Sequence, residues 1–161
     1  MAVLDRIRLT DGLAGLTHPD AHSPPMIPHS TDHKHPWGDA ETPYTEIGGE
    51  DAVRKLAEAF YDVIEEESPT LRDMLPANTA NTRKKFLMYL TGWLGGPPLY
   101  EEKYGHPRLR MRHTPFPIGA DEADEWMRCM RKGMDRAGLE DPIRSFLEER
   151  FEPLAQHMRN R

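Results

Sequence analysis

The sequence predicts an all-α domain preceded by a mostly irregular N-terminal extension. Three observations carry that expectation. First, the apolar residues are dominated by 15 Leu, 13 Ala and 9 Met, against 3 Val and 6 Ile. Leu, Ala and Met favour helices, whereas the scarce β-branched residues favour strands. Second, from Pro43 onward apolar residues recur at helical spacing. Third, the residues before Pro43 follow no period. They hold five of the eight His (His18, His22, His29, His33, His35) and five Pro (Pro19, Pro24, Pro25, Pro28, Pro36), the composition of an extended arm. At 161 residues the chain is sized for one domain, taken as 43–161, with the extension at 1–42.

Each element has its own warrant. Residues 2–9 have room for one short helical turn. Val53, Leu56, Phe60, Tyr61 and Ile64 share a face of a helix over 50–66. Phe86, Tyr89, Leu90 and Trp93 share a face over 81–94. Asn81 or Thr82 is its expected cap, and Gly95-Gly96-Pro97-Pro98 its abrupt stop. Ala123, Trp126, Met127, Met130 and Met134 make one stripe over 121–137, with Asp121 in the first turn and Gly138 past the end. The last helix opens with Asp141 as cap and Pro142 at its first position. It buries Ile143, Phe146, Leu147, Phe151 and Leu154, and Pro153 predicts a kink or a restart inside it. Between the second and third helices, Pro97–Gly119 carries five Pro and reads as one long loop, a place where function usually sits.

Composition excludes several roles. A net charge of -6 and a pI of about 5.7 disfavour nucleic acid and anionic membrane as general partners. A hydrophobic share of 37% with a mean hydropathy of -0.74 is lean for a domain of this length. Cys129 is the single cysteine, so no internal disulfide forms and nothing calls for an oxidising compartment. No apolar run approaches the ~20 residues of a membrane span. Asp5, Arg6, Arg8 and Asp11 interrupt any leader-like apolar run, which makes the cytoplasm the expected location.

Phosphate-binding, nucleophile-elbow and His-Glu-x-x-His signatures are missing from the sequence. His113 remains, in the string LRMRHTPFPIG. Pro115 and Pro117 stiffen the chain after it, so its ring either points one nitrogen at a metal or caps a turn. Tyr61 and Trp126 lie on apolar faces. Each is a core aromatic or, if they converge near a metal-ligating His, a donor to a bound diatomic or oxyanion. Cys129 reads as a small core residue.

The segment GWLGGPPLYEEKYGHPRLRMRHTPFPIG (92–119), followed by EWMRCM (125–130), resembles the group II truncated haemoglobins. So do YTEIGGEDAVRKLAEAFYDVI (44–64) and EPLAQHMRN (152–160). The resemblance implies a globin-like two-over-two helical sandwich around haem b. It implies His113 as the proximal iron ligand, with Tyr61 and Trp126 as distal residues that stabilise the gas ligand. It sets Phe86 facing the iron and Thr82 at the haem gate. Tyr100, Arg112, Phe116 and Ile118 line the haem or meet its propionates, and Tyr89, Leu90 and Trp93 extend the distal face. Gly48-Gly49 ends the short first helix. Arg112 and the run Arg83-Lys84-Lys85 are the cations available near the propionates, with Arg83 and Lys84 reading first as a solvated helix face. Arg108 and Arg110 have Glu101 and Glu102 as candidate partners.

One position departs from the family pattern. Where the family often places Tyr, His or Phe in the distal pocket, Leu75 stands here, or Met74 if a one-residue gap falls elsewhere. Neither donates a strong hydrogen bond. The implied function is reversible binding of oxygen, nitric oxide and carbon monoxide at haem iron, for oxygen binding, transport or delivery. The alternative is a redox enzyme, a nitric oxide dioxygenase or a peroxidase-like catalyst. It would depend on a separate reductase, because the chain carries no flavin or nicotinamide domain. A monomer or homodimer is expected. His29, His33 and His35 read as part of a solvated arm, with metal binding or a sixth bond to the iron as the alternative.

Overall fold

The structure, a computed structural model, describes residues 32–161. The expected turn at 2–9 and His18, His22 and His29 lie outside the described residues. The described part is helical: α1 (Pro43–Ile47), α2 (Glu50–Glu67), α3 (Pro69–Arg72), α4 (Ala80–Trp93), α5 (Leu99–Tyr104), α6 (Leu109–His113), α7 (Ala120–Ala137) and α8 (Ile143–His157). None of these helices is long and apolar enough to cross a membrane.

Four long helices make the body. α2 packs on α4, α7 packs on α8, and the two pairs meet through α2 and α7. The interface forms because the α2 face of Val53, Leu56, Phe60 and Ile64 and the α7 stripe of Met127, Met130 and Met134 are almost wholly buried, following the 3.6-residue period of the sequence. Gly133 allows the closest approach. A Cβ there would lie 3.1 Å from the backbone of Phe60.

A ladder of charge reinforces the same pair. Arg128, Lys132 and Arg136 recur every four residues along α7. Arg128 and Lys132 reach Glu67 at the end of α2, and Arg136 reaches Glu66 and Glu67.

The ends of the helices follow their local chemistry. The Thr42 hydroxyl accepts from the Thr45 N–H at 3.1 Å and caps α1. Gly48 and Gly49, with φ of 120° and 77°, then turn the chain into α2 through conformations that favour glycine. The carboxylate of Glu122 accepts from the Gly119 N–H at 2.8 Å, closing the first turn of α7. Gly138, left-handed at φ 72°, ends it, and the Leu139 N–H returns to the Met134 carbonyl.

Several boundaries differ from expectation. α4 starts at Ala80, before the expected caps, because the side chain of Asn78 accepts from the Ala80 N–H at 3.0 Å. Pro142 precedes α8 instead of opening it, while Asp141 still accepts from the Ser145 N–H at 3.1 Å. α8 runs unbroken through Pro153. Pro153 and Glu149, whose carbonyl loses its helical donor, are both exposed, so the freed carbonyl is not buried without a partner. The stretch Pro97–Gly119 is not one loop but holds α5 and α6.

The compact unit begins at His33, ahead of Pro43. Trp37 is the anchor. Its indole N–H donates to the Ala40 carbonyl at 2.9 Å, its ring stacks on His35 at 4.6 Å, and its edge meets Phe146 at 5.3 Å. His33 faces Asp39 at 3.2 Å. Among the described residues no group of three or more His, Cys, Asp or Glu is arranged to hold a metal ion.

Candidate functional site

Phe60 of α2 gathers the distal candidates. Its ring lies 5.2 Å from Tyr61, 5.3 Å from Phe86 and 5.2 Å from Trp126. Tyr61 and Phe86 also meet edge to face at 5.6 Å. Three helices therefore deliver Tyr61, Phe86 and Trp126 to one place. Burial pushes the Tyr61 phenol well above its ordinary range, and the charge of Arg83 opposes that only in part. The hydroxyl stays protonated and able to donate.

Arg83 lies behind this cluster, its guanidinium 5.6 Å above the Tyr61 ring. It is not a solvated cation. It bonds Glu58 at 2.6 Å, Asp62 at 2.8 Å and Glu65 at 3.1 Å, with its side chain only 13% exposed. Its Nε also donates to the Thr79 hydroxyl at 3.1 Å, and Thr79 in turn donates to Glu65 at 2.6 Å. Lys84 is exposed, whereas Lys85 is half-buried with its ammonium 5.1 Å from the Tyr104 ring.

The α4 face continues past Phe86 through Tyr89 to Trp93. Of this helix only Leu90 and Thr91 are fully buried. Phe86, Tyr89 and Trp93 stay partly open although they are large and apolar. The Tyr89 hydroxyl and the Trp93 indole N–H are buried atoms with no hydrogen-bond partner. Tyr89 meets Tyr100 edge to face at 6.3 Å, and Trp93 stacks on Phe151 at 4.7 Å, which also touches Trp126 at 5.5 Å.

α6 presents His113. The ring Nδ1 lies 2.6 Å from the Leu109 carbonyl. A carbonyl only accepts, so Nδ1 carries the proton and donates, and Nε2 keeps its lone pair. The ring of His113 neighbours Phe116 at 6.5 Å. It stands apart from the Phe60-centred cluster.

Asn160 holds this segment in place. Its Nδ2 donates to the carbonyls of His113 and Phe116 at 3.3 and 2.8 Å, and its Oδ1 accepts from the Ile118 N–H at 3.0 Å. Sequence reasoning did not single it out, because no local pattern signals a clamp onto another segment.

The remaining candidates fall around these groups. Thr82 is half-buried in the first turn of α4, and Ile118 is buried where the chain enters α7. Arg112 is exposed and donates from Nε to the Pro107 carbonyl at 3.1 Å. Met74 and Leu75 are half-buried after α3, and the Leu75 carbonyl accepts from Arg72 at 3.3 Å. Arg108 and Arg110 form no ion pair with Glu101 or Glu102. Cys129 is fully buried on α7, and burial raises its thiol.

These residues fit a planar, largely apolar group bearing carboxylates and a metal. The partly open aromatic face of α4 suits its body. The orphaned Tyr89 and Trp93 donors, with Lys85 and Arg112, suit its polar edge. His113 Nε2 suits the metal. Buried donors in native interiors rarely lack partners, so two on one helix mark a face built to meet something else.

Comparison with known proteins gives the same family from every side. The model of the bacterial-like globin family matches residues 42–160. The curated group 2 truncated hemoglobin YjbI of Bacillus subtilis (strain 168) is 46% identical over 118 residues, covering 73% of this chain and 88% of its own. Among solved structures, the group II truncated hemoglobin of Bacillus anthracis is 41% identical with a TM-score of 0.73, covering 75% of this chain and 98% of that one. A truncated oxygen-avid haemoglobin from Bacillus subtilis is 45% identical with a TM-score of 0.71, covering 74% and 100%.

Proposed function

The chain belongs to the bacterial-like globins, among the group II truncated haemoglobins, and on that premise we propose that it binds oxygen reversibly at a b-type haem held by His113. The observation that carries the reading is the His113 Nδ1 bond to the Leu109 carbonyl, which fixes the ring and leaves Nε2 for iron. When held by one imidazole, ferrous haem would supply iron able to bind oxygen, nitric oxide or carbon monoxide. Cys129, alone and buried on α7, offers no Cys-x-x-Cys-His attachment, which supports a non-covalent haem.

The chain's own residues then set affinity. Tyr61 and Trp126 are the donors to the gas ligand. A hydrogen bond to a ligand carrying developing charge contributes about 1.5–3 kcal/mol. That is roughly ten- to hundred-fold in affinity, expressed mainly in release. Phe60 and Phe86 keep water from the same place. Arg112 and Lys85 would hold the propionates. The oxygen-avid Bacillus subtilis relative supports oxygen as the ligand.

A second reading rests on Leu75 and Met74. Neither side chain can donate a strong hydrogen bond, and a pocket with fewer donors exchanges ligand faster, which suits turnover such as nitric oxide dioxygenation with an external reductant. Stopped-flow oxidation of the oxygenated form by nitric oxide, with and without reductant, separates the two. Sustained cycling back to ferrous favours turnover, and a single oxidation favours reversible binding. Haem titration tests the shared premise. A Soret band should saturate at one haem per chain and be lost or shifted in His113→Ala.

A further inference from the structure

We propose that Lys103, Arg108, Arg110 and Met111 form the docking surface for an acidic one-electron carrier protein that reduces the haem at His113. The inference rests on the haem reading above and adds the partner to it. From Lys103 to Ala120 the chain has four cationic residues, Lys103, Arg108, Arg110 and Arg112, and no carboxylate, within a protein of net charge -6. All four are exposed.

Six of the arginines are paired. Arg54, Arg83, Arg128, Arg131, Arg136 and Arg144 each meet a carboxylate. Arg108 and Arg110 make no ion pair among the described residues, as is also true of Arg72, Arg150, Arg159 and Arg161, and Arg112 is left to the haem edge. Glu101 and Glu102, exposed on α5, border the patch without neutralising it. An uncompensated positive patch on an acidic protein steers a partner with a compact negative surface. A broad anionic surface such as a membrane would meet the repulsion of the whole chain.

The patch also has an apolar centre. Met111, 58% exposed, is the large apolar side chain left most open among the described residues. A small apolar centre with a charged rim is the anatomy of a protein interface. The backbone adds a further sign. Arg108 is left-handed, at φ 45° and ψ 46°, where Gly or Asn sits with less strain.

Position supplies the function. Met111 and His113 share α6, and a two-residue step places them on roughly opposite sides, across a helix ~10 Å thick. A carrier seated on Met111 would lie one helix away from the haem. The step is the transfer of one electron: the carrier is oxidised, ferric iron becomes ferrous, and no bond to the carrier forms or breaks.

The test uses full-length holoprotein with a plant-type [2Fe–2S] ferredoxin as the acidic probe and phosphatidylserine vesicles as the second arm. Arg108→Asn with Arg110→Gln removes two charges while keeping a left-handed-tolerant residue at 108. Met111→Glu is an independent variant. Lys34→Gln with Lys55→Gln makes the same charge change elsewhere. Ferredoxin affinity by titration calorimetry and the rate of ferric haem reduction should each fall about tenfold in the first variant. Both should fall in Met111→Glu and hold in the Lys34, Lys55 control. Binding should vanish between ~0.01 M and ~0.5 M salt as screening tightens. Equal losses in the control, unchanged binding in the two patch variants, or binding to vesicles but not ferredoxin would overturn the proposal. The haem reading is scored separately by the Soret band, which every variant should retain.

Discussion

The side-chain amide of Asn160 donates to the main-chain carbonyl of His113 at 3.3 Å, across 47 residues of sequence. The same amide donates to Phe116 and accepts from Ile118. Two carbonyls and one N–H around it leave a single orientation for its oxygen and nitrogen. α6 has no extensive packing on another helix, so this clamp and the main-chain bonds of Asn160 and Arg161 to Ile118 fix where the imidazole stands.

Asn160→Ala should therefore loosen His113 without unfolding the domain. Each lost bond contributes about 0.5–1.5 kcal/mol, and the helical pairs that make the body are untouched. The measurement is the rate of haem transfer to apomyoglobin, expected to rise about tenfold, the ratio that corresponds to 1.4 kcal/mol. Asn160→Asp keeps the acceptor for the Ile118 N–H and loses both donors, so it should resemble the alanine variant. A wild-type transfer rate in both would show that α6 is positioned by other contacts.

Trp126→Phe keeps the ring packed on Phe60 and Phe151 and deletes the only donor of that side chain. The oxygen off-rate, followed after flash photolysis or by rapid mixing, should rise about tenfold or more. Tyr61→Phe should raise it less. An off-rate unchanged in Trp126→Phe would remove tryptophan from the ligand's hydrogen bonds and leave Tyr61 alone.

Arg83→Met should destabilise the domain by about 2 kcal/mol, because Glu58, Asp62 and Glu65 lose their shared partner. Urea unfolding measures this. Arg83→Lys keeps the charge and loses the fork that reaches three carboxylates, so it should fall between. If Arg83→Met unfolds at the wild-type urea midpoint, the cluster contributes nothing to the α2–α4 pairing.

The long helices were legible in the sequence because their stripes run for several turns. α2, α4 and α7 lie within one or two residues of the ranges expected. The short ones were hidden for a physical reason. α3, α5 and α6 have four to six residues each, too few for a period to show, and the nearby prolines that suggested a loop also suit helix starts. In the site, His113 and its resemblance-implied companions could be named from a local string. The clamp at Asn160 and the cage around Arg83 could not, since each joins separate elements that no local pattern links. The packing of Trp37 on Phe146 was missed in the same way.

Acid should weaken the α7 helix at Glu125. Bidentate bonding by Arg128, at 2.8 and 2.6 Å, is the main cause that brings its carboxyl down from 4.5 to about 2. A carboxyl lowered in the folded state adds stability that is fully present above the unfolded value of 4.5 and is lost as pH falls through about 2. The side chain is 26% exposed, so solvent reduces the contribution to about 1 kcal/mol. Glu125→Gln should lower the urea midpoint at pH 7 and converge with wild type near pH 2. Parallel curves across that window would assign the acid sensitivity to other carboxyls.

Haem removal gives the widest test, because it joins composition to the site. The chain is lean in hydrophobic residues at 37%, and α4 buries little beyond Leu90 and Thr91. Phe86, Tyr89 and Trp93 stay partly open, and Tyr89 and Trp93 hold donors without partners. A haem would cover that face and supply interior that side chains do not. A ligand that binds only the folded chain stabilises it by about 4 kcal/mol when present at about a thousand times its Kd. For a domain of this size that is a rise in Tm of about 10–15 °C. Apoprotein and holoprotein scanned side by side should differ by that margin, with the His113→Ala apoprotein melting like wild-type apoprotein and gaining less from added haem. Equal melting temperatures with and without haem would mean that the thin α4 face is already stable uncovered.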